Sequence, residues 1–216
     1  MSAVAHIDEY KQGTFYTEEF RGTSSWNGYE NNMLLRNDTP SGGALRFTEV
    51  AMAAGADDVY DARGIAVADF DRDGDLDLAV SHNPGDDAMH VARAVLYRND
   101  LADGLSSIAF ELEGTESNRE ALGAEVGVRV GTRWMTRLRE AGSGYASQHS
   151  ARLHFGVREL APGETVDAVE VRWPSGRVDA FGPLEVGRVY RLVEGQGEGE
   201  GAEPLEPAVP ARLGGS

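Results

Sequence analysis

One short stretch restricts what this chain can fold into more than any other, namely Asp69-Phe70-Asp71-Arg72-Asp73-Gly74-Asp75-Leu76-Asp77. Its five carboxylates occupy alternate positions, so an extended strand would project all of them from one face. Two carboxylates about 4 Å apart repel each other by roughly 4 kcal/mol at an effective dielectric constant of about 20. Apolar, strand-like segments flank the stretch at 64–68 and 78–80. Because a packed β-hairpin would not carry this charge at its turn without a cation, the sequence predicts a metal-binding loop.

Calcium is the metal that this pattern favours. Ca²⁺ takes six to eight oxygen ligands in a flexible cage, and alternate positions of an acidic loop with a central glycine supply them. The predicted ligands are Asp69, Asp71, Asp73, Asp75 (through its backbone carbonyl) and Asp77. The loop is not an EF-hand, because Val80 stands at the twelfth position, where an EF-hand has a bidentate Glu. Magnesium prefers a smaller octahedron and zinc prefers His or Cys, so the remaining alternative is a solvated acidic turn.

The acidic loop and its flanks, residues 64–81, resemble the FG-GAP/VCBS repeat, the calcium-binding blade element of integrin-type β-propellers. An internal repeat extends the resemblance, because the segment 32–38 recurs at 94–100 and both copies end in Arg-Asn-Asp. Between the copies lie the alternating segment 45–50 and the acidic hairpin. The resemblance implies one blade and the opening strand of a second at 31–104. A propeller needs about four blades to close, so the open blade edge is expected to pack on the C-terminal domain or to form a homo-oligomer.

Composition narrows the classes of partner. The chain has 216 residues, a formal net charge of −16 and no Cys, which excludes disulfides and thiol chemistry. Such acidity argues against nucleic acid, because phosphate binding requires clustered Lys and Arg. No segment approaches the roughly 20 apolar residues of a transmembrane helix, so no membrane insertion is expected. Protein and carbohydrate remain as partner classes.

After residue 104, short alternating segments predict a second β domain at 105–194. Apolar and polar side chains alternate at 108–112, 126–130 and 169–173, the pattern of a β-sandwich or barrel. The chain is therefore predicted to be all-β, with a partial propeller-like blade and its calcium hairpin packed beside this domain. Residues 1–30 predict no clear element. The Gly-, Glu- and Pro-rich segment 195–216 is predicted to be a disordered tail, because it has too little apolar surface to offset the entropy of ordering.

Residues 106–193 resemble the ASPIC/UnbV domain, which commonly follows FG-GAP/VCBS repeats. The motifs that carry this resemblance are Ser117-Asn118-Arg119, Gly123-Ala124-Glu125-Val126, the segment 142–148, His154-Phe155-Gly156 and Trp173-Pro174-Ser175-Gly176. Glu125 stands where the family usually has a basic residue, which argues against an anion site there. The resemblance extends to the cartilage acidic protein family, which is secreted and binds calcium, and to UnbV proteins of enediyne clusters. It favours an extracellular or cell-surface location, although the start of the chain lacks a classical signal peptide.

The polar segment 142–150 is a second candidate site. Tyr145, Gln148 and His149 offer donors and acceptors to a ligand, or else the segment is a tight connection in which Tyr145 fills the core. The sequence has no phosphate-binding loop, zinc-protease motif or dinucleotide fingerprint. It therefore favours a non-enzymatic calcium-binding module for binding or adhesion. The alternative is an enzyme or accessory protein of enediyne-type natural-product biosynthesis, with its site near Tyr145–His149.

Overall fold

The computed structural model describes residues 31–40, 42–58, 62–82, 94–100, 106–197 and 202–205. Within these ranges the chain is nearly all-β, as predicted, with fifteen strands and one short helix. It divides into two compact units, of which unit 1 comprises Met1–Ile65 and Ala79–Tyr97, and unit 2 comprises Ala66–Leu78 and Arg98–Ser216. The predictions for residues 1–30 and for most of the tail fall outside the described residues.

Unit 1 contains two small sheets. Strand β1 (Leu35–Asn37) pairs antiparallel with β2 (Phe47–Glu49), and the helix α1 (Ala51–Ala54) follows. Strands β3 (Ala62–Ala68), β4 (Asp77–His82) and β5 (Ala94–Tyr97) form a sheet in the order β3-β4-β5. The last residues of β3 and the first of β4 belong to unit 2, together with the acidic loop that connects them. The two copies of the sequence repeat thus contain β1 and β5.

Unit 2 contains two four-stranded sheets. Its strands are β6 (Ser107–Glu113), β7 (Glu125–Val130), β8 (Arg133–Leu138), β9 (Leu153–Gly156), β10 (Thr165–Val166), β11 (Ala168–Arg172), β12 (Val178–Phe181), β13 (Leu184–Glu185), β14 (Arg188–Val193) and β15 (Ala202–Pro204). The first sheet has the order β12-β11-β7-β8 and is antiparallel throughout. The second has the order β15-β14-β6-β9, in which only β14 and β6 run parallel. Strands β10 and β13 form a separate pair, and no sheet of the described residues closes into a barrel.

The core of unit 2 draws buried side chains from both four-stranded sheets. Val126 and Val128 of β7 are fully buried, and their neighbours on the strand point the other way, as the alternation in the sequence predicts. From the second sheet, Phe110 of β6 packs edge-on against Phe155 of β9, with ring centroids 5.7 Å apart. These side chains belong to one continuous cluster, and each contributes about 1.5–3 kcal/mol of burial free energy. The arrangement is that of a β-sandwich.

The structure differs from the sequence prediction at the C-terminal tail. Strand β15 lies inside the segment 195–216, yet it pairs antiparallel with β14, and Arg191 is opposite Glu203. The pairing satisfies backbone groups along the edge of β14 that would otherwise be open. The prediction of disorder is therefore wrong for Ala202–Pro204, because it counted apolar side chains and ignored backbone pairing.

The boundaries predicted from sequence, at residues 31, 105 and 195, stay predictions, as does the blade assignment for 31–104. The compact units divide the chain differently, because Ala66–Leu78 groups with the C-terminal unit. Among the described residues, no helix has the length and apolar character needed to cross a membrane.

Candidate functional site

Three of the five predicted calcium ligands converge in the acidic loop. Carboxylate oxygens of Asp69, Asp71 and Asp77 all lie within 4.8 Å of one another. Asp73 and Asp75, the other two predicted ligands, lie outside this group. The three side chains differ in burial, because Asp71 is exposed, Asp69 is half-buried and Asp77 is only 1% exposed.

The loop is curled rather than extended, and its own backbone holds the curl. The Asp69 carboxylate accepts hydrogen bonds from the N–H groups of Asp73 and Gly74, both at 3.1 Å. Asp73 in turn accepts one from the Asp75 N–H at 3.0 Å. Gly74 has a φ of 94°, a left-handed backbone that glycine adopts without steric strain. The alternation of aspartates therefore brings carboxylates together by folding back, and not by lining one face of a strand.

Asp77 is the most buried of the three converging carboxylates, and hydrogen bonds fix its orientation. Its Oδ2 accepts the Phe70 N–H at 2.9 Å, and its Oδ1 accepts the Asn99 N–H at 2.8 Å. Each carboxylate oxygen has a second lone pair after such a bond. Asp77 is thus fixed in orientation by two backbone segments while it keeps acceptor capacity toward Asp69 and Asp71.

The tip of the loop is fastened to the sandwich. The carbonyl of Gly74 accepts a hydrogen bond from Ser107 Oγ at 2.8 Å and another from His154 Nε2 at 2.7 Å. Since a carbonyl only accepts, Nε2 of His154 carries the proton. Burial lowers the pKa of His154, which keeps the ring neutral. Strands β6 and β9 therefore position the loop directly.

The charge of the group is poorly compensated by the protein. Burial raises the pKa of Asp69, and the negative charge of Asp73 raises it further, although backbone N–H groups of Gly74 and Arg72 act in the opposite direction. The Arg98 guanidinium lies 3.9 Å from Asp71 Oδ2, and the two side chains are 61% and 37% exposed, so solvent screens this pair and it contributes little. Three carboxylates converge here, and the pKa of Asp69 is raised, so a cation at this point would relieve the repulsion between the negative charges.

The structure brings together two of the three residues predicted for the second candidate site. Gln148 and His149 line a cavity of about 240 Å³ in unit 2, together with Arg137 and His154. Tyr145 does not line it and is 74% exposed, so the alternative in which Tyr145 fills the core is wrong. His149 Nδ1 accepts the Val67 N–H at 3.3 Å, which leaves its Nε2 as the nitrogen available to a ligand.

Sequence reasoning missed a third polar centre, around Glu194. This side chain is 2% exposed, and its Oε2 accepts the backbone N–H groups of Thr115, Glu116 and Ser117 at 2.8, 2.9 and 2.7 Å. The hydroxyls of Ser117 and Ser175 donate to Oε1. Burial alone would raise the pKa of Glu194, but the hydrogen bonds from Ser175 and Ser117 outweigh it and lower the pKa to about 2.

Two sequence motifs acquire a structural role through Glu194. Ser117 belongs to the motif Ser117-Asn118-Arg119, and Ser175 belongs to Trp173-Pro174-Ser175-Gly176. The two motifs are far apart in the chain, and both serines donate to the Glu194 carboxylate. Close by, Gly114 lies where a Cβ would meet the Asn118 carbonyl oxygen at 2.2 Å, so the turn that supplies the donors requires glycine there. The two serines were the available signal, but nothing in their spacing pointed to Glu194.

Comparison with known proteins finds a family match in the C-terminal part of the chain. Residues 114–199 match the family model described as ASPIC and UnbV. The matched region begins at the turn that donates to Glu194 and ends just beyond Glu194 itself. No match to the chain is found among curated proteins. The resemblance to ASPIC/UnbV is therefore confirmed for this region.

Proposed function

We propose that this protein binds Ca²⁺ through the loop 69–77, as part of a non-enzymatic binding or adhesion module in which the ion stabilises the fold. The observation that carries the proposal is the convergence of carboxylate oxygens from Asp69, Asp71 and Asp77 within 4.8 Å of one another. The group belongs to unit 2 and is fastened to the sandwich, so an ion held there would stabilise more than the loop.

The chemistry of the donors fits calcium. The converging group consists of carboxylates alone, without His or Cys, which favours a hard cation over zinc. The ligands differ in burial and sit on a curled loop, which suits the variable coordination of Ca²⁺ better than the strict octahedron of Mg²⁺. Asp73 and Asp75 remain proposed as further ligands, Asp75 through its carbonyl. The ion would offset the negative charge of the converging carboxylates.

The proposal includes an FG-GAP/VCBS-like blade at 31–104. Its support, beyond the acidic loop, is that the two repeat copies share a local ion pair. Arg36 pairs with Asp38 at 2.8 Å, and Arg98 pairs with Asp100 at 3.0 Å, in each case two residues further on. An extracellular location follows from the same resemblance, and calcium there is concentrated enough to fill sites with dissociation constants of about 10⁻⁴–10⁻³ M.

Thermal unfolding of the purified chain tests the proposal. We expect a higher melting temperature in millimolar CaCl₂ than in chelator, reversed by adding chelator and only weakly reproduced by MgCl₂. At a free calcium concentration about 100 times the dissociation constant, the stabilisation is about 2.7 kcal/mol. Identical melting curves in calcium and in chelator would contradict the proposal.

A second candidate function is small-molecule binding in the cavity that Gln148 and His149 line, in keeping with a role in natural-product biosynthesis. The observation that favours it is the cavity itself, with Arg137, Gln148 and His149 at its wall. Native mass spectrometry of the chain, incubated with an extract of an enediyne-producing culture, is the test. An added mass that Gln148→Ala abolishes would support this function, and an unchanged spectrum of the wild-type chain would contradict it.

A further inference from the structure

The sheet β12-β11-β7-β8 carries a groove that has no residue in common with the acidic loop or the cavity. Its volume is about 260 Å³, and its lining residues are Glu125, Gly127, Trp134, Thr136, Glu170 and Arg172. The strand register explains why these lining residues lie side by side, because Gly127 of β7 lies opposite Thr136 of β8 and opposite Glu170 of β11. These positions alternate with the buried valines of the core, so the groove lies on the outer face of the sheet.

Trp134 forms one wall of the groove and is held in place. Its side chain is 47% exposed, although large aromatic side chains in a soluble protein are usually buried. A Cβ at Gly127 would lie 3.2 Å from both Cε3 and Cζ3 of the indole, so the glycine lets this edge of the ring rest on the sheet. The Arg129 guanidinium lies 6.0 Å from the ring centroid. The indole is thus an exposed aromatic surface supported by its neighbours.

The charged side chains of the groove have no partner among the residues that the structure describes. Within the described part of the chain, the side chains of Glu125, Glu170 and Arg172 make no hydrogen bond or ion pair. Glu125 and Arg172 are opposite each other in the register, and still they do not pair. The groove therefore presents two carboxylate acceptors and one guanidinium donor next to an aromatic wall.

This combination selects the chemistry of a ligand. Two carboxylates disfavour an anion, and the guanidinium disfavours a cation. Hydroxyl groups suit both, because they donate to carboxylates and accept from a guanidinium, and such charge-assisted bonds are the stronger ones. The face of an aromatic ring is electron-rich and attracts the positive edge of C–H bonds, of which a sugar ring presents a whole layer.

We propose that the groove binds a neutral carbohydrate, with one sugar ring stacked on Trp134 and its hydroxyls bonded to Glu125, Glu170 and Arg172. Small-molecule pockets typically measure 300–1,000 Å³, so the groove fits a single terminal sugar rather than a buried chain. The net charge of −16 reinforces the preference for neutral over sialylated or sulfated glycans, because a negative protein repels them at a distance.

A glycan array with neutral, sialylated and sulfated glycans tests this proposal, with the full chain in calcium-containing buffer. We expect binding to neutral glycans, and for the best of them a loss of about tenfold or more in affinity in Trp134→Ala. Trp134→Phe keeps an aromatic face and retains part of the affinity. Glu170→Gln weakens binding while it leaves the indole intact. Val178→Ala, at an exposed apolar position of the same sheet outside the lining, is the matched control and binds like the wild type.

Three results of the binding measurements would overturn the proposal. They are a folded wild-type chain that binds no neutral glycan, binding restricted to sialylated or sulfated glycans, and equal affinity in Trp134→Ala. A dimer on size exclusion that Trp134→Ala dissociates would assign the groove to a second copy of the chain, which also overturns it. The glycan-binding result can be interpreted even if the chain binds no calcium, because the groove and the acidic loop share no residue.

Discussion

The carboxylate centres at Glu194 and in the acidic loop of unit 2 solve the problem of buried negative charge in opposite ways. At Glu194 the chain supplies three backbone N–H groups and two hydroxyls to a single carboxylate. In the acidic loop three carboxylates converge, and the donors near them are fewer for each charge. The pKa values reflect the difference, since the pKa of Glu194 is lowered to about 2 while that of Asp69 is raised by burial. One centre is completed by the protein itself, and the other has acceptors left for a cation.

The difference has its origin in where the donors come from. At Glu194 the three N–H groups and the Ser117 hydroxyl belong to the turn at 115–117, whose successive N–H groups form an anion-binding concavity, and the fifth donor is the Ser175 hydroxyl. The parallel pairing of β14 with β6 places Glu194, which follows β14, beside that turn, which follows β6. In the acidic loop, the donors to Asp69 are backbone groups of the same loop. The first centre thus receives donors from a separate turn of the chain, whereas the donors to Asp69 come from the acidic loop itself.

The largest expected effect comes from Glu194→Gln. The amide turns an NH₂ group toward donors that need an acceptor, so we expect the free energy of unfolding to fall by about 3 kcal/mol. Urea unfolding at pH 7 measures it. The control is Glu116→Gln in the same turn, where the side chain is 67% exposed and the loss stays below about 1 kcal/mol. Equal losses in the two variants would contradict the role of Glu194.

A pH series sharpens the same point. Because the folded pKa of Glu194 lies at about 2, below its ordinary value of 4.5, its contribution is fully present above about pH 4.5. It is lost as the pH falls through 2. The difference in unfolding free energy between the wild type and Glu194→Gln should therefore be constant from pH 7 to 5 and shrink toward pH 2. A difference that does not change over this range would show that ionisation of Glu194 is irrelevant.

The acidic loop should respond to substitution in a graded way. Asp71→Asn removes a charge from the converging group, so we expect it to abolish the stabilisation by calcium, about 2.7 kcal/mol at saturating concentrations. Asp75→Asn leaves the backbone carbonyl in place and should retain most of it. Thermal melting of both variants, with calcium and with chelator, distinguishes them. Loss of the response in Asp75→Asn alone would mean that the ligand set is wrong.

A smaller loss of stability is expected from substitution of Asp179, which, like Glu194, is a buried carboxylate with hydrogen-bond donors supplied by the protein. It accepts hydrogen bonds from Trp173 Nε1 at 2.8 Å, from the Gly195 N–H at 2.7 Å and from Arg177 Nε at 2.8 Å. Asp179→Asn keeps one acceptor oxygen, so we expect a loss of about 2 kcal/mol. Asp167→Asn is the control, because Asp167 is exposed and accepts one N–H, from Gly131. Chemical denaturation should rank the two variants in that order, and the reverse order would count against the comparison.

The sequence predicted what depends on local pattern. Alternation identified the strands that bury Val126, Val128, Val169 and Val171, because a period of two fixes which side chains face the core. The run of aspartates likewise located the acidic loop. Its curl was not predictable, since the hydrogen bonds from Asp73 and Gly74 to Asp69 belong to a conformation and not to a spacing.

The rest required tertiary structure. The backbone donors to Glu194 lie 77, 78 and 79 residues away in the chain, and the pairing of β14 with β6 brings them close to it. The groove beside Trp134 depends on the register of three strands, which a single sequence does not specify. Tyr145 was placed wrongly in one alternative because an aromatic residue in a polar loop gives no sign of its exposure.

Calorimetric titration of Ca²⁺ tests most directly whether the acidic loop, unlike the Glu194 centre, binds a cation. The titration uses the chelator-treated wild type and Asp71→Asn, and the unfolding of both proteins is also measured in chelator. We expect saturable binding in the wild type and none in Asp71→Asn. In chelator the variant should be at least as stable as the wild type, because it lacks one of the repelling charges. A wild type that takes up no calcium at millimolar concentration, or an Asp71→Asn variant that binds it as well as the wild type, would contradict the account.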